Sequence, residues 1–476
     1  MSQEPLLFDI VVLGGGPGGY PAAIKAAQSG KKVALIEAKE LGGTCLNRGC
    51  IPSKALIANA KTYQTVLHAK EFGIHADNVS FRYETMAKRK DQVVGGIRKG
   101  LEGLLKTNGI TIIRGHGQFV SPREIKVQGE DNCVVSGERF ILATGSEPRD
   151  IPAFPCDHKA ILDSTSALEL TELPKSIVII GGGVIGCEFA SLFRGLGVEV
   201  TICELLDRIL PMEAEEVSKA LDQSYRKWDV TIHTGVLVEG IKTEGKGVTV
   251  HLKDSNPIHA EKALVAVGRK LNVRDAGFEK AGVVLNEKGF VQVDERMETN
   301  VPGIYAVGDI VSPWWLAHVA THQGVIAATN ATGGDMVMHY NAIPSVIFTH
   351  LEIGTVGKTI EQAKKEGYQA AVSAFPFKAL GKSQAIAQTE GFAQIVIDQK
   401  TGQILGAQVV GYEAATLVAE MAVAITNELT VECITESIHA HPTLPEAWAE
   451  AAFLATGSPL HLPPTRKKKT LEGVNR

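Results

Sequence analysis

The feature that most constrains the fold is a construction that occurs twice, 167 residues apart. In the first copy the apolar, β-branched run FDIVVL at 8–13 leads straight into GGGPGGY, a helical pattern over 17–29, and the short apolar run VALIE that ends at Glu37. In the second, residues 177–180 lead into GGGVIG, a helical stretch, and VEVTICE, which ends at Glu204. Gly14, Gly16 and Gly19 map onto Gly181, Gly183 and Gly186, and in each copy the acidic residue stands 23 positions after the first glycine. Strand, tight turn, helix and strand joined by a right-handed crossover make a parallel sheet. The first glycine permits the sharp turn, the second lets backbone approach a pyrophosphate, and the third lets helix pack on strand, while the helix N-terminus offers free N–H groups to phosphate oxygens. A single match of this kind is equally well an ordinary glycine turn. Two in full context predict two dinucleotide-binding folds. Glu37 and Glu204 fall where ribose hydroxyls are read. A carboxylate repels a 2′-phosphate, so Glu204 in ICELLD favours NAD over NADP, with Arg208 four residues further on.

A chain of 476 residues, at roughly 150 per domain, suggests about three domains and a core that needs no disulfide staples. A net charge of −5 argues against a dedicated nucleic-acid or anionic-membrane binder and for a small or neutral partner. The seven cysteines, Cys45, Cys50, Cys133, Cys156, Cys187, Cys203 and Cys433, are odd in number and thinly spread, unlike a secreted disulfide framework. The opening MSQEPLLFDI has no basic and apolar leader pattern, and a cytoplasmic location is expected. From residue 343 the pattern changes to IPSVIF, then FAQIVID and QILGAQVVG around the turn-like QKTG, then Ala-rich helical segments, which reads as an α+β unit with an antiparallel hairpin. Its helix over 413–427 is equally suited to packing on another subunit or within its own. The charged stretch 465–476 reads as a solvated tail.

Two segments carry candidate chemistry. In GGTCLNRGCIPSKALI, Cys45 and Cys50 lie within reach of one another at a distorted helix start, so a reversible disulfide, a zinc site and inert structural thiols are all readings of the pair. No second close Cys or His pair accompanies it, so no metal is expected. A helix N-terminus and Lys54 would both stabilise a thiolate there. In SIHAHPTLPEAWAE, His441 can accept a thiol proton at neutral pH and Glu446 can fix its tautomer. Thr443 and Glu446 also spell a T-x-x-E capping box, which serves equally well as the reason for the glutamate. His439 reads as structural.

Taken in order, GGGPGGY, GGTCLNRGCIPSK, ATGS, GGGVIGCE, AVGRKLN, YAVGDI, IPSVIFTH and HAHPTLPE span nearly the whole chain and resemble the class I pyridine nucleotide-disulfide oxidoreductases, in particular their dihydrolipoamide dehydrogenase branch. The resemblance implies an α/β chain with two Rossmann-like dinucleotide-binding domains and a C-terminal α+β dimerisation domain. The expected boundaries are 1–149 for FAD binding, 150–272 for NAD binding, 273–342 for a central domain completing the FAD site and 343–464 for the interface. It implies FAD at Gly14, Gly16, Gly19 and Glu37, with Lys54, Gly145 and Asp309 also at the flavin, and NAD at Gly181, Gly183, Gly186 and Glu204. Thr144, Gly268 and Ala317 also line the cofactor sites. Glu188 pairs with Lys54, Cys50 faces the flavin, Cys45 exchanges with substrate, and His441, oriented by Glu446, is the base. The active sites lie at the interface of a homodimer, where His441 of one subunit serves the cysteines of the other. The implied reaction oxidises protein-bound dihydrolipoamide to lipoamide and reduces NAD, for a 2-oxoacid dehydrogenase or another lipoyl-dependent complex. The alternatives are an NAD-linked reductase of another small disulfide and a non-catalytic flavoprotein scaffold or redox sensor. Leu271, Trp314, Trp315, Thr321, His322, Gln323, Leu351 and Pro445 depart from the usual pattern of that branch.

Overall fold

A computed structural model describes residues 4–463; the charged tail expected at 465–476 lies outside them. Packing divides the described chain into two units, residues 4–209 with 229–339, and residues 210–228 with 340–463.

The first unit is built on two parallel sheets. In the seven-stranded sheet, Thr111–Arg114, Val33–Glu37, Leu6–Leu13 and Cys133–Leu142 run parallel, with Ile304–Ala306 added beside the last. Glu124–Gln128 and His116–Ser121 extend the sheet antiparallel. Val33–Glu37 is buried at every position, as a strand covered on both faces must be, and its uninterrupted apolar run follows from that burial. The five-stranded sheet orders Val230–His233, Glu199–Cys203, Ser176–Ile180, Lys262–Val265 and Ile161–Leu162, all parallel. The helices expected after each glycine turn are Gly19–Gln28 and Val184–Gly195. Chain passes between the two sheets through Ser146–Pro148 and Arg269–Leu271, which pair as a two-stranded antiparallel ribbon.

The second unit holds an antiparallel sheet ordered Pro344–Ile347, Ile353–Gly357, Ile404–Gly411, Gly391–Asp398 and Ala370–Pro376. The hairpin around QKTG is present, and the Ala-rich helix is Ala414–Thr426. That helix and the helix Glu446–Ala455 cover the sheet over a core in which Trp448 is fully buried. The Trp448 indole donates to the Leu417 carbonyl oxygen at 3.1 Å, so the ring fills the core without orphaning its N–H. No helix among the described residues is long and apolar enough to cross a membrane.

Because Trp448 fills this core and holds two helices together, Trp448→Ala is expected to destabilise the second unit by about 3–5 kcal/mol. The loss would be read as a lowered midpoint of the denaturant transition followed by circular dichroism, and an unchanged midpoint would contradict this account of the core.

Candidate active site

The two glycine turns close by the same contacts. Gly14 and Gly181 have φ of 105° and 104°, conformations that favour glycine. A Cβ on Gly14 would overlap the Ala143 carbonyl of the neighbouring strand end, and one on Gly181 the corresponding Ala266 carbonyl. A Cβ on Gly19 would overlap the Gly14 carbonyl oxygen, and one on Gly186 that of Gly181. Each third glycine therefore lets its helix start directly against the strand end.

The acids complete the correspondence. Glu37 accepts the Gly15 and Lys39 N–H groups at 2.7 Å each. Glu204 accepts those of Gly182 at 2.6 Å and Leu206 at 2.8 Å. Both carboxylates are buried, and each draws the middle of its glycine turn down onto the tip of the second strand. The sequence reading gave these acids to ribose; it missed that they also hold the turn.

The cysteine segment is pinned to the first turn. Gly42 N–H donates to the Gly15 carbonyl at 2.8 Å, and Gly43 packs so closely on Gly16 that a Cβ on it would lie 2.7 Å from the Gly16 Cα. The segment then forms two helices, Gly43–Arg48 and Cys50–Leu67, separated at Gly49. Cys45 and Cys50 are joined by a disulfide with their Cα atoms 4.7 Å apart. Cys50 is the first residue of its helix, where unpaired N–H groups stabilise a thiolate. One turn on, the Lys54 ammonium donates to both Glu188 oxygens, at 2.9 and 2.7 Å, joining the cysteine helix to the helix of the second glycine turn.

Other thiols are chemically quiet. Burial pushes the Cys187 thiol far up, and the nearby Glu204 and Glu188 carboxylates add to this. Cys203 is pushed up to about 12 by burial. Cys156 is pushed up to about 11 by burial and by Asp163, Asp150 and Asp157. Cys133 is raised by burial and Asp131. None of these four is a nucleophile at neutral pH.

The ends of the strands Cys133–Leu142 and Ile304–Ala306 gather further predicted residues. Thr144 Oγ1 donates to the Asn272 carbonyl at 2.6 Å, and Asn272 Nδ2 donates to that of Thr144 at 3.0 Å. The Ser146 hydroxyl donates to the Asp309 carboxylate. It accepts from Arg269 Nε at 2.7 Å, while Arg269 Nη2 donates to the Ser146 carbonyl at the same distance. Burial lowers the Arg269 guanidinium below its ordinary value, opposed by Asp309 and Glu147. Ala317 opens the helix Ala317–Ala331. In that helix Thr321 donates to the Pro17 and Ala317 carbonyls at 3.0 Å each, and the fully buried Gln323 accepts the Gly308 N–H at 2.8 Å. Spacing alone does not single out Ser146, Arg269 and Asn272, whose partners lie more than a hundred residues away, and Thr321 and Gln323 join the site through contacts to Pro17 and Gly308 that the local pattern does not spell. Gly145, Gly183 and Gly268 have open space where a Cβ would stand, room for a ligand against bare backbone.

In the second unit, His441 Nδ1 meets Glu446 Oε1 at 2.8 Å, and Glu446 Oε2 accepts the Thr443 N–H at 2.7 Å. The helix begins at Glu446 itself with Pro445 as its N-cap, and the Thr443 hydroxyl donates instead to the Ala440 carbonyl, so the reciprocal capping box is not formed. Glu446 does half of that work and holds the imidazole as well. His439 pairs with Glu420 at 2.9 Å and is largely buried.

The sequence matches the pyridine nucleotide-disulphide oxidoreductase family over residues 8–324 and that family's dimerisation domain over 343–452. It is 52% identical over 464 residues to a dihydrolipoyl dehydrogenase of Chlamydia pneumoniae, covering 98% of this chain and 100% of that one. It is 39% identical to a dihydrolipoyl dehydrogenase of Bacillus subtilis, covering 96% and 98%. Among solved structures, LpdA from Mycobacterium tuberculosis superposes with a TM-score of 0.88 at 28% identity over 94% of this chain and 99% of that one. The HOCl-induced flavoprotein disulfide reductase RclA from Escherichia coli, as its Cu(II) complex, superposes with a TM-score of 0.85 at 28% identity over 94% and 99%.

Ser146→Ala removes the hydroxyl between the Arg269 guanidinium and the Asp309 carboxylate. The expected loss is about 1–3 kcal/mol, the cost of leaving such groups short of a partner, measured by chemical denaturation of the purified protein; a stability equal to the parent's would show that the hydroxyl is dispensable.

Proposed function

The chain belongs to the pyridine nucleotide-disulphide oxidoreductase family, and from that premise we propose that it is a dihydrolipoyl dehydrogenase, oxidising the dihydrolipoyl group of a carrier protein while reducing NAD. The observation that carries this reading is the Cys45–Cys50 disulfide at the start of a helix whose root is pinned to a dinucleotide-type glycine turn.

FAD fits the first turn, where Gly14, Gly16, Gly19 and Glu37 would hold its adenosine diphosphate portion, with Thr144, Gly145, Asp309 and Ala317 around the rest. NAD fits the second, at Gly181, Gly183, Gly186 and Glu204, with Gly268 beside it. The supporting observation is the open space at Gly183, Gly145 and Gly268 together with a helix N-terminus at each turn. When bound, FAD joins two-electron sulfur chemistry to hydride chemistry at NAD.

The chain's own residues do the rest. With Nδ1 bonded to Glu446, neutral His441 keeps its Nε2 lone pair free and takes the proton of one substrate thiol. The thiolate attacks Cys45 Sγ, forming a mixed disulfide and expelling Cys50 as a thiolate. The substrate's second sulfur, once deprotonated, attacks the first, closes the cyclic disulfide and releases Cys45. Helix N-terminus and the Lys54–Glu188 pair hold the Cys50 thiolate in place.

We assign residues 1–149 and 273–342 to the flavin, 150–272 to the nicotinamide cofactor and 343–464 to the interface. A homodimer is supported by the match to the dimerisation domain, and in it the partner subunit's His441 serves Cys45 and Cys50. The lipoyl carrier belongs to a 2-oxoacid dehydrogenase or related complex, and the free thiols Cys133, Cys156, Cys187, Cys203 and Cys433 suit a reducing cytoplasm.

The test is steady-state turnover of the purified yellow protein with dihydrolipoamide and NAD, beside the reverse rates with lipoamide, glutathione disulfide and coenzyme A disulfide. Preference for a non-lipoyl disulfide, or a colourless protein without flavin, would overturn the assignment. His441→Ala is expected to lower dithiol oxidation by about 10²–10⁴-fold, the contribution of a general base, and Cys45→Ser to abolish it with flavin retained.

A further inference from the structure

Oxidation of a dithiol by NAD frees one proton per turnover: two S–H bonds break, one hydride goes to NAD, and one proton must reach solvent. His441 can hold one proton and has to lose it before the next cycle. In the proposed homodimer, where His441 meets the other subunit's sulfurs, the proton needs an exit as well as a base.

A second histidine–carboxylate pair stands on the same helix. Glu450 lies four residues after Glu446 in Glu446–Ala455, on the same helical face. Its Oε1 meets His461 Nδ1 at 2.7 Å, and its Oε2 accepts the His461 backbone N–H at 3.3 Å. Glu446 makes the same two kinds of contact, one to the imidazole Nδ1 of His441 and one to a backbone N–H. The Glu450 side chain is 8% exposed, so its carboxylate is nine-tenths buried, whereas the His461 ring is 70% exposed, close to the 76% of His441.

The local sequence explains how His461 comes to lie there. After the helix the chain turns at Gly457, whose φ is +78°, with Gly457 N–H donating to the Leu454 carbonyl at 3.1 Å and Ser458 N–H to that of Phe453 at 2.9 Å. It then doubles back along the helix, and Leu462 packs on the core that holds Trp448. A buried carboxylate whose acceptor atoms both go to one residue is an expensive way to fasten the segment after the helix, because Leu462 already anchors it. Spent on an imidazole it fixes the tautomer, with the proton on Nδ1 and a basic Nε2 facing solvent.

We propose that His461, held by Glu450, is a proton-relay residue that receives through water the proton His441 takes from the substrate thiol and passes it to bulk solvent. Side chains four apart on a helix have Cβ atoms about 5–6 Å apart, which sets the two carboxylates that hold the histidines, Glu446 and Glu450, side by side. The titratable groups joined by hydrogen bonds in the two dyads are Glu450 with His461 and Glu446 with His441. His461 acts through His441 and does not touch the reacting sulfurs. The inference rests on the dihydrolipoyl reading.

The test is His461→Gln in the full-length flavin-loaded enzyme at low buffer concentration. The variant keeps the backbone N–H to Glu450 and removes the acid–base group. Expected are a fall in kcat of about 10-fold, smaller than for a base that meets the substrate directly, an unchanged KM for dihydrolipoamide, a larger solvent deuterium effect, and recovery of kcat with added imidazole. Glu450→Gln, which retains an acceptor for Nδ1–H, should give a partial loss that imidazole also repairs, and it serves if His461→Gln folds poorly. A kcat equal to the parent's, or a loss that imidazole does not repair and that follows a lowered melting temperature, would overturn the proposal. Absence of dihydrolipoamide turnover in the parent enzyme would instead overturn the functional reading on which it stands.

Discussion

Everything in the first unit depends on how closely a helix can begin to a strand end. In both copies a glycine at the third position meets the carbonyl of the first with no room for a Cβ, and the buried carboxylate on the next strand draws the turn inward. That approach brings each helix start against its strand end and fixes where the neighbouring chain can pass. Gly43 meeting Gly16 transmits the constraint to the cysteine segment, so the position of the disulfide is set by backbone against backbone with no flexible side chain in between. From there the helix Cys50–Leu67 carries the register to Lys54, and Lys54 carries it to Glu188 on the second copy's helix. A change at one glycine would therefore be felt at the sulfurs and at the second glycine turn.

The sequence made the local devices readable because each is spelled by neighbours. A glycine turn and its strand-end acid lie within about two dozen residues, and Cys45 and Cys50 lie within one helical turn and a half. His441 and Glu446 are five apart, which puts the pair in reach, yet sequence alone left the glutamate between two roles. The structure gives one oxygen to the imidazole and the other to the Thr443 N–H, because a helix that starts at Glu446 brings both donors to one carboxylate.

What spacing did not reveal is whatever depends on distant segments meeting. Ser146 finds Arg269 and Asp309 more than a hundred residues away, and the pairing exists because the chain leaves the first sheet and returns to it through one narrow ribbon. Gln323 reads in the sequence as a departure from the family pattern; its amide oxygen accepts the Gly308 N–H in a fully buried position where an uncompensated carboxylate would be costly. His461 and Glu450 are only eleven residues apart, but they meet because the chain doubles back after Gly457, and residue spacing does not spell that turn.

Selectivity among the sulfurs follows from where each sits in this frame. Cys187 stands near the start of its helix, directly after a third glycine, but as the fourth residue, with its N–H paired to the Gly183 carbonyl at 2.9 Å, it lacks the place at the helix N-terminus that Cys50 has. It is instead fully buried, bonded to the Gly182 carbonyl at 3.4 Å, and flanked by Glu204 and Glu188, which oppose a second negative charge. Glu188 thus acts with opposite sign on two thiols: its charge discourages a thiolate at Cys187, while as partner of the Lys54 ammonium it keeps a cation one turn from Cys50. Among the described residues the disulfide joins Cys45 to Cys50, while Glu188, on the helix of the second turn, and Glu204 oppose a thiolate at Cys187.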